Sequence, residues 1–407
     1  MKKICLTIVG IYIGLLAAFS QASSSTDTSY KSRKLKFEEA NFVGSYYQQD
    51  GNHAAVTGGI GSQKLNDFST SFDLKLSKYD RHKRKHIFTA EIGIDHYTSA
   101  SSDKIDPTTI SSASYADTRF YPSLGWSREN EEKGVTIGAG LYTSTEYDYQ
   151  SFGANINFAK KTSNRNGEFS AKLQGYFDQL KLIYPKELRP NSGGGGGSGD
   201  DDDDDDSYGS ASRNTFSGTL AWSQIINKNL QLLLEGELVY QDGYLSLPFH
   251  RVYFDDNSVH IENLPSKRLK IPVAIRLNYF LGDRFIIRSW YRFYKDDWNI
   301  QSNTIQLETS VKINAFLSVT PFYRFYQQTA ADYFAAFKVH TAADTYYTSN
   351  YDLSTFNSSF YGAGIRLSPP KGVFSIQHLN ALEIRYGHYQ RNIDFNSNII
   401  SLHLKFK

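Results

Sequence analysis

From Phe37 to the C-terminus, apolar and polar residues alternate along most of the chain. Between Phe68 and Leu76 the even positions carry Phe, Thr or Leu, and the odd positions carry Ser, Asp or Lys. The last residues repeat the pattern, with apolar side chains at even positions from Ile400 to Phe406 and polar ones between them. A period of two predicts β-strands with one apolar and one polar face.

The alternating segments predict about sixteen strands, most of them long enough to cross a membrane at a tilt. We therefore expect an all-β fold, a transmembrane antiparallel β-barrel. The predicted strands are 37–48, 66–78, 86–98, 114–128, 134–146, 148–162, 167–184, 213–226, 229–241, 267–280, 284–296, 302–313, 316–328, 355–368, 376–389 and 397–407.

The connections between these strands alternate between short and long. Short turns are predicted at 130–133, 163–166, 227–228, 282–283 and 314–315, and long loops at 49–65, 99–113, 185–212, 242–266 and 329–354. Two connections on the long side, near Tyr147 and at 297–301, are brief. Short periplasmic turns with long extracellular loops are typical of outer-membrane barrels. The alternative, an exported soluble sandwich or solenoid, does not explain this asymmetry.

The N-terminal residues have the pattern of an export signal. Lys2 and Lys3 precede an apolar stretch, and cleavage after Ala22 follows from the small residues there. We therefore expect a signal peptide at 1–22, a periplasmic segment at 23–36 and the barrel at 37–407. The single cysteine, Cys5, lies inside the signal, so the mature chain has no thiol for disulfides or metals.

Composition narrows the range of partners. Lys and Arg number 44 against 42 Asp and Glu, and a net charge of +2 gives no reason to expect a nucleic-acid partner. The mean hydropathy of −0.47 is compatible with a barrel, because only every second residue of a strand contacts lipid. Expected partners are outer-membrane lipid and the barrel-assembly machinery, since a final amphipathic strand with an aromatic such as Phe406 resembles the signal which that machinery reads.

Alternation also assigns the side chains that face the lumen. One wall is expected to be mostly acidic and the opposite wall mostly basic, which would set up a field across the lumen. We therefore predict a passive pore for small polar solutes or ions. The alternative is that the charges pair and plug the lumen, the long loops then docking a surface lipoprotein or a secreted partner. The predicted lumen-lining residues are Glu91, Asp95, Asp117, Arg119, Glu235, Glu237, Arg276, Arg288, Arg292, Arg324, Arg366 and Arg385.

Acidic residues collect in the predicted outer loops. Carboxylates and an imidazole suit a divalent cation such as Ca²⁺, although Asp also occurs in turns for its backbone hydrogen bonds. No other cofactor is expected. The aspartate run Asp200–Asp206 behind a glycine-rich hinge is expected to be a flexible loop tip within 185–212. The candidate metal ligands are Asp50, His53, Asp103, Asp106 and Asp117.

A barrel hydrolase is a further alternative. Asp95 and His96 lie near Ser99, but adjacent residues of a strand point to opposite faces and cannot readily serve one site. We therefore predict no catalytic residues.

Three segments carry a resemblance to a known family. Gly44–Asn52, Asp95–Asp106 and Ser112–Arg119 resemble the predicted exported proteins named domain of unknown function 3570. The resemblance extends over nearly the whole mature chain. It implies an envelope location and brings no activity and no site residue with it.

Overall fold

The computed structural model describes residues 33–99, 116–189 and 209–407. The predicted signal peptide at 1–22, most of the segment 23–36, the candidate ligands Asp103 and Asp106, and the aspartate run Asp200–Asp206 lie outside these ranges. No helix among the described residues is long and apolar enough to cross a membrane.

Of the eighteen strands in the described residues, sixteen form one closed antiparallel barrel, which confirms the predicted fold class. The remaining two, β10 and β11, form a separate hairpin that lies within the predicted loop 242–266 and was not foreseen. The strands are β1 (Lys36–Gly51), β2 (Leu65–Tyr79), β3 (Lys85–Thr98), β4 (Ala116–Asn130), β5 (Val135–Thr145), β6 (Tyr149–Lys161), β7 (Gly167–Lys181), β8 (Ser210–Asn227), β9 (Leu230–Gly243), β10 (Arg251–Tyr253), β11 (Val259–Ile261), β12 (Lys267–Leu281), β13 (Phe285–Asp296), β14 (Gln301–Lys312), β15 (Leu317–Gln328), β16 (Phe356–Leu367), β17 (Leu379–Arg391) and β18 (Phe395–Phe406).

The barrel closes where the first strand pairs with the last. β1 and β18 are antiparallel over twelve residue pairs, from Ala40 opposite Phe406 to Gly51 opposite Phe395. Closure gives every strand two neighbours and leaves no row of unpaired backbone groups at an edge. That property is what allows strands to stand in a hydrocarbon layer, where no water can satisfy a free N–H or C=O group.

The outward face of the barrel is apolar, and no other part of the described chain packs against it. Ile92 is 45% exposed, Leu124 62% and Leu220 58%, although each lies near the middle of its strand. In a water-soluble protein such side chains would form the core, so this continuous apolar surface is the one that contacts lipid. The chain is therefore a transmembrane barrel of the outer-membrane type.

Aromatic side chains lie on the outward face toward both ends of the barrel. Phe177 and Phe216 contact each other edge to face, with ring centroids 5.8 Å apart, toward the end where β7 and β8 meet their long connection. At the other end of the barrel, where the turns are short, Trp126 lies near the end of β4 and Trp222 near the end of β8. Aromatic belts at the two water–lipid boundaries are usual in such barrels.

Most connections follow the predicted asymmetry, short at one end of the barrel and long at the other, although the connection 368–378 at the short end is longer than its neighbours. At the short end, the turn between β2 and β3 is held by Asp80, whose carboxylate accepts the backbone N–H groups of His82 and Arg84. Three connections at the other end, 146–148, 297–300 and 392–394, are also brief. The long loops of that end pack together, and their arrangement is described with the candidate site.

The orientation of the two faces can be tested with one charged side chain. Ile92→Arg places a guanidinium in lipid and should destabilise the folded barrel by about 2–4 kcal/mol near the membrane midplane. The matched control is Glu91→Arg, which puts the same side chain on the polar face one residue away. Urea unfolding in lipid vesicles measures both variants, and equal stability of the two would contradict the assignment of the faces.

Candidate functional site

The polar face of the barrel surrounds an interior space. A recess of about 370 Å³ is lined by side chains from seven successive strands, β3 to β9, among them Glu91, Arg119, Asp178 and Gln241. Seven neighbouring strands of a closed barrel can share a recess only on their concave side. The side chains with the same parity as these residues therefore point into the lumen.

The register places all twelve predicted lumen residues on the inward face. In four pairings, for example, Asp95 lies opposite Arg119, Glu235 opposite Ala274, Arg276 opposite Trp290 and Arg324 opposite Gln306. The acidic members and Arg119 belong to β3, β4 and β9, and the other arginines belong to β12, β13, β15, β16 and β17. The two sets therefore occupy different sectors of the barrel wall.

On the acidic side, charged groups are joined to tyrosines and arginines. The Tyr121 hydroxyl donates to Asp95 at 2.9 Å, and the Tyr97 hydroxyl donates to Glu146 at 2.6 Å. Arg213 pairs with the buried Asp178 at 2.9 Å. Arg213 is the first residue of the predicted strand 213–226 and is not among the predicted lumen residues. It is an inward cation within the acidic sector.

On the basic side, one carboxylate serves two arginines. Glu308 accepts from Arg288 at 2.9 Å and from Arg385 at 2.8 Å. Arg276 and Arg292, by contrast, form no ion pair with a carboxylate among residues 33–99, 116–189 and 209–407. Cations therefore outnumber their counter-charges in this sector, and the local potential is positive.

Several of these inward side chains are exposed. Although they lie inside a closed barrel, this is true of Glu91, Glu235, Arg276, Arg324 and Arg366. A lumen filled by interlocking side chains would bury them. The described residues therefore leave water-sized space along both the acidic and the basic sector.

Four outer connections pack into one body at the long-loop end, which we call the loop cap: residues 52–64, 182–189, 244–266 and 329–355. Arg251 on β10 joins three of them, since it binds Glu187 at 2.5 Å and donates to the Val56 carbonyl at 3.1 Å. Phe254 contacts Tyr347 with ring centroids 4.9 Å apart and joins the fourth. The cap has its own small buried core.

A buried His–Glu pair fixes two segments of the loop cap to each other. His250 Nδ1 lies 2.9 Å from Glu262 Oε1, and neither side chain is measurably open to solvent. Glu262 also accepts the Thr348 hydroxyl at 2.5 Å and the Leu247 backbone N–H at 2.6 Å. A buried carboxylate needs such a set of partners, and here they come from both 244–266 and 329–355.

The loop cap turns inward over the outer end of the lumen. A recess of about 390 Å³ is lined by Val56, Phe249 and Asn350 of the cap together with Tyr97 and Arg391 of the barrel wall. Residues of loops and residues of inward strand faces thus share one space. The cap therefore lines the outer end of the barrel interior together with the strands of the wall.

Asp50, His53 and Asp117 are the predicted metal ligands that lie within the described residues, and these three do not form one group there. Asp50 lies 3.7 Å from the Lys64 ammonium, and His53 lies against Tyr351, with ring centroids 3.7 Å apart. Within the described part of the chain, Asp117 instead groups with Glu146 and Asp148, whose carboxylate oxygens all lie within 4.8 Å of one another. Glu146 and Asp148 were not predicted as ligands because they lie in the short connection after β5, whereas the candidate ligands were taken from the predicted long loops and the strand beside them.

The connection 146–148 holds carboxylates close together outside the strands. Burial, reinforced by the charges of Asp117 and Glu146, raises the pKa of Asp148 to about 6. Three carboxylates at this separation repel one another when all are ionised, and a hard divalent cation with oxygen ligands is the chemistry that would relieve the repulsion.

Asp95 and His96 point to opposite sides of β3. Asp95 is hydrogen-bonded to Tyr121 in the lumen, whereas His96 Nδ1 lies 2.9 Å from the Thr118 hydroxyl on the outer face. The pair does not converge on one nucleophile, so Asp95 and His96 give a hydrolase no supporting geometry.

A family model described as Protein of unknown function (DUF3570) matches residues 13–400, nearly the whole chain. The chain belongs to the DUF3570 family. No curated protein matches it. Family membership agrees with the resemblance noted in three sequence segments, and it assigns no chemistry to the lumen of this DUF3570 barrel.

Solved structures with a similar architecture are outer-membrane barrels of low identity. A BenF-like porin from Pseudomonas fluorescens Pf-5 is 10% identical, with a TM-score of 0.42 and coverage of 93% of this chain and 100% of that one. Pseudomonas aeruginosa OccD3 (OpdP) is 9% identical, with a TM-score of 0.43 and coverage of 93% and 92%. A bacterial polysaccharide outer membrane secretin is 9% identical, with a TM-score of 0.43 and coverage of 90% and 98%. Similarities at these TM-scores carry no argument about the solutes of this barrel.

The buried pair of the loop cap can be tested by removing its carboxylate. Glu262→Ala leaves His250, Thr348 and the Leu247 N–H without their acceptor and should destabilise the cap by about 3–5 kcal/mol. Limited proteolysis of the refolded barrel should then cut the cap much faster. Asp255→Ala, at an exposed position of the same hairpin, is the control. Equal cleavage rates in both variants would show that the pair does not hold the cap.

The raised pKa of Asp148 predicts a pH dependence. The carboxyl pKa is 3.8 in the reference state and about 6 in the fold, so the folded chain binds an extra proton between these values. Folding stability should therefore fall as the pH rises from 4 through 6. Asp148→Asn should abolish this loss and be more stable than wild type at pH 7.5 by up to about 3 kcal/mol.

Urea unfolding at pH 4.5 and 7.5 measures the effect, with Asp283→Asn in an exposed short turn as the control. An Asp148→Asn variant with the same pH profile as wild type would contradict the proximity of the three carboxylates.

Proposed function

We propose that this DUF3570 barrel is a passive pore for small polar solutes or ions in the bacterial outer membrane. The supporting observation is the set of exposed charged side chains inside a closed sixteen-stranded barrel, such as Glu235 and Arg276. A barrel of this strand number is wide enough for an aqueous channel when nothing fills it. Passage through such a channel needs no energy source and no catalytic group.

The distribution of charge supports a preference among solutes. Acidic residues lie along β3, β4 and β9, and arginines along β12 to β17, so a field crosses the lumen between the two sectors. Such a field favours charged and dipolar solutes over apolar ones. The arginines share only a few counter-charges, Glu308 serving two of them, and we therefore propose a net preference for anions.

The inward position of the loop cap supports a limit on solute size. Because the cap lines a recess together with barrel residues, entering solutes pass beside it. The same packing favours one second candidate, a barrel closed by its cap that docks a surface lipoprotein or a secreted partner. Single-channel conductance separates the two, since only a pore gives a steady current in a planar bilayer.

Export and assembly are part of the proposal. The N-terminal residues fit a signal peptide cleaved after Ala22, and the terminal strand β18, with Phe406 at its end, fits recognition by the barrel-assembly machinery. The N-terminal sequence of the mature protein tests the first point. We also propose that Asp117, Glu146 and Asp148, rather than Asp50 and His53, are the residues from which a Ca²⁺ site at the rim would be built.

Removing two arginines should change the selectivity of the pore. Arg288→Ser with Arg292→Ser takes two positive charges from the inward face of β13, and the reversal potential in a salt gradient should shift toward cation selectivity. Lys295→Ser on the outward face of the same strand is the matched control and should leave selectivity unchanged. An unchanged reversal potential in the double variant would mean that these arginines do not line the conducting path.

A further inference from the structure

One row of inward side chains in the basic sector contains two arginines, one glutamine and three aromatic residues. Each member lies opposite the next across successive strand pairs, from β12 to β17. The row reads Arg276, Trp290, Gln306, Arg324, Phe360 and Tyr389. Because opposite residues in antiparallel strands have Cβ atoms roughly 4.5–5.5 Å apart, neighbours in this row lie side by side on the lumen wall.

At one end of this row, the N–H groups of two side chains have no acceptor in the described part of the protein. Arg276 makes no ion pair or side-chain hydrogen bond, and the Trp290 indole N–H has no acceptor, among the residues that the structure describes. Arg324 donates to the neutral Gln306 side chain at 2.8 Å and lies 5.7 Å from the Phe360 ring, without a carboxylate partner in the same ranges. The row thus offers several N–H donors and an excess of positive charge.

These groups surround a defined space. A recess of about 410 Å³ is lined by Arg276, Arg288, Trp290, Gln306 and Arg324, with Glu308 at its side. Its size falls within the range of small-molecule sites, about 300–1,000 Å³. The single acid, Glu308, is already engaged by Arg288 and Arg385, so it does not neutralise Arg276 or Arg324.

We infer that this recess, lined by Arg276, Trp290 and Arg324, is a binding site for a small organic carboxylate on a flat, apolar body. The inference rests on the proposed pore and names the class of solute that the pore retains on its way through. The guanidinium groups of Arg276 and Arg324 present planar forks of N–H donors that match a carboxylate.

The flat body of the solute follows from Trp290, the aromatic residue among those that line the recess. Trp290 lies between Arg276 and Gln306, and Phe360 lies beside Arg324 in the same row, next to the recess lining. An indole or phenyl face gains contact area from a planar ring and little from a compact inorganic anion. Benzoate, which combines one carboxylate with one ring, is therefore the simplest probe of the site.

The first experiment measures binding without conduction. Benzoate is titrated into the refolded full-length barrel in detergent micelles by calorimetry, with inorganic phosphate and benzyl alcohol titrated separately. We expect saturable binding of benzoate, at least tenfold weaker binding of phosphate, and no binding of the uncharged alcohol. Equal binding of phosphate and benzoate overturns the requirement for a flat body, and absence of benzoate binding overturns the site.

Variants then assign the binding to the recess. Arg276→Ser and Arg324→Ser should each weaken benzoate binding about tenfold, which corresponds to about 1.4 kcal/mol. Arg324→Lys should recover part of the loss, because the charge returns without the fork. Trp290→Leu should weaken benzoate and leave phosphate unchanged. Lys312→Ser, an inward cation near the short-turn end of β14 and outside the recess, is the control.

The outcomes separate this inference from the proposed pore. Benzoate that binds to a barrel without conductance would retain the site and overturn the pore. A conducting barrel whose benzoate affinity is the same in wild type and in Arg276→Ser would retain the pore and overturn the site. In a conducting barrel, benzoate should also reduce the single-channel current reversibly, and it should do so less in the two serine variants.

Discussion

The pairing of β1 with β18 is the interaction on which the rest of the structure depends. Twelve residue pairs join the two ends of the chain and remove the free edges of the sheet. In hydrocarbon an unpaired backbone group costs several kcal/mol, so an open sheet of this length could not stay in a membrane. Once the sheet is closed, the pleat divides every strand into a side that contacts lipid and a side that contacts the lumen. The apolar face and the charged face are both consequences of that closure.

The lumen differs from a protein core in how it accommodates charge. In a dry interior each arginine would need a carboxylate of its own, whereas here Glu308 serves Arg288 and Arg385, and Arg276 has no such partner in the described chain. Arg276 is exposed inside the barrel, so its guanidinium loses less solvation than it would in a dry core. The unneutralised charge makes the potential of the basic sector positive, and the anion preference proposed for the pore rests on that charge.

The loop cap follows the ordinary rules of soluble proteins. Val252, His250 and Thr348 are fully buried, and the His250–Glu262 pair is surrounded by hydrogen-bond partners from separate loops. The molecule thus has two different interiors, one formed by strands and lined with exposed charged side chains, and a buried one formed by loops at the outer end. The recess shared by Phe249 and Arg391 is where they meet.

The sequence by itself determined the sixteen strands, their inward and outward faces and the separation of acidic from basic sectors, because each of these depends on a local period of two. It could not place Glu146 and Asp148 beside Asp117, or show that Asp50 and His53 stand apart, because these proximities depend on which strands and loops become neighbours. The loop cap depends on contacts between loops that are far apart in the chain. The row from Arg276 to Tyr389 required the register of six strands, which alternation leaves undefined: a shift by two residues preserves every face and changes every neighbour.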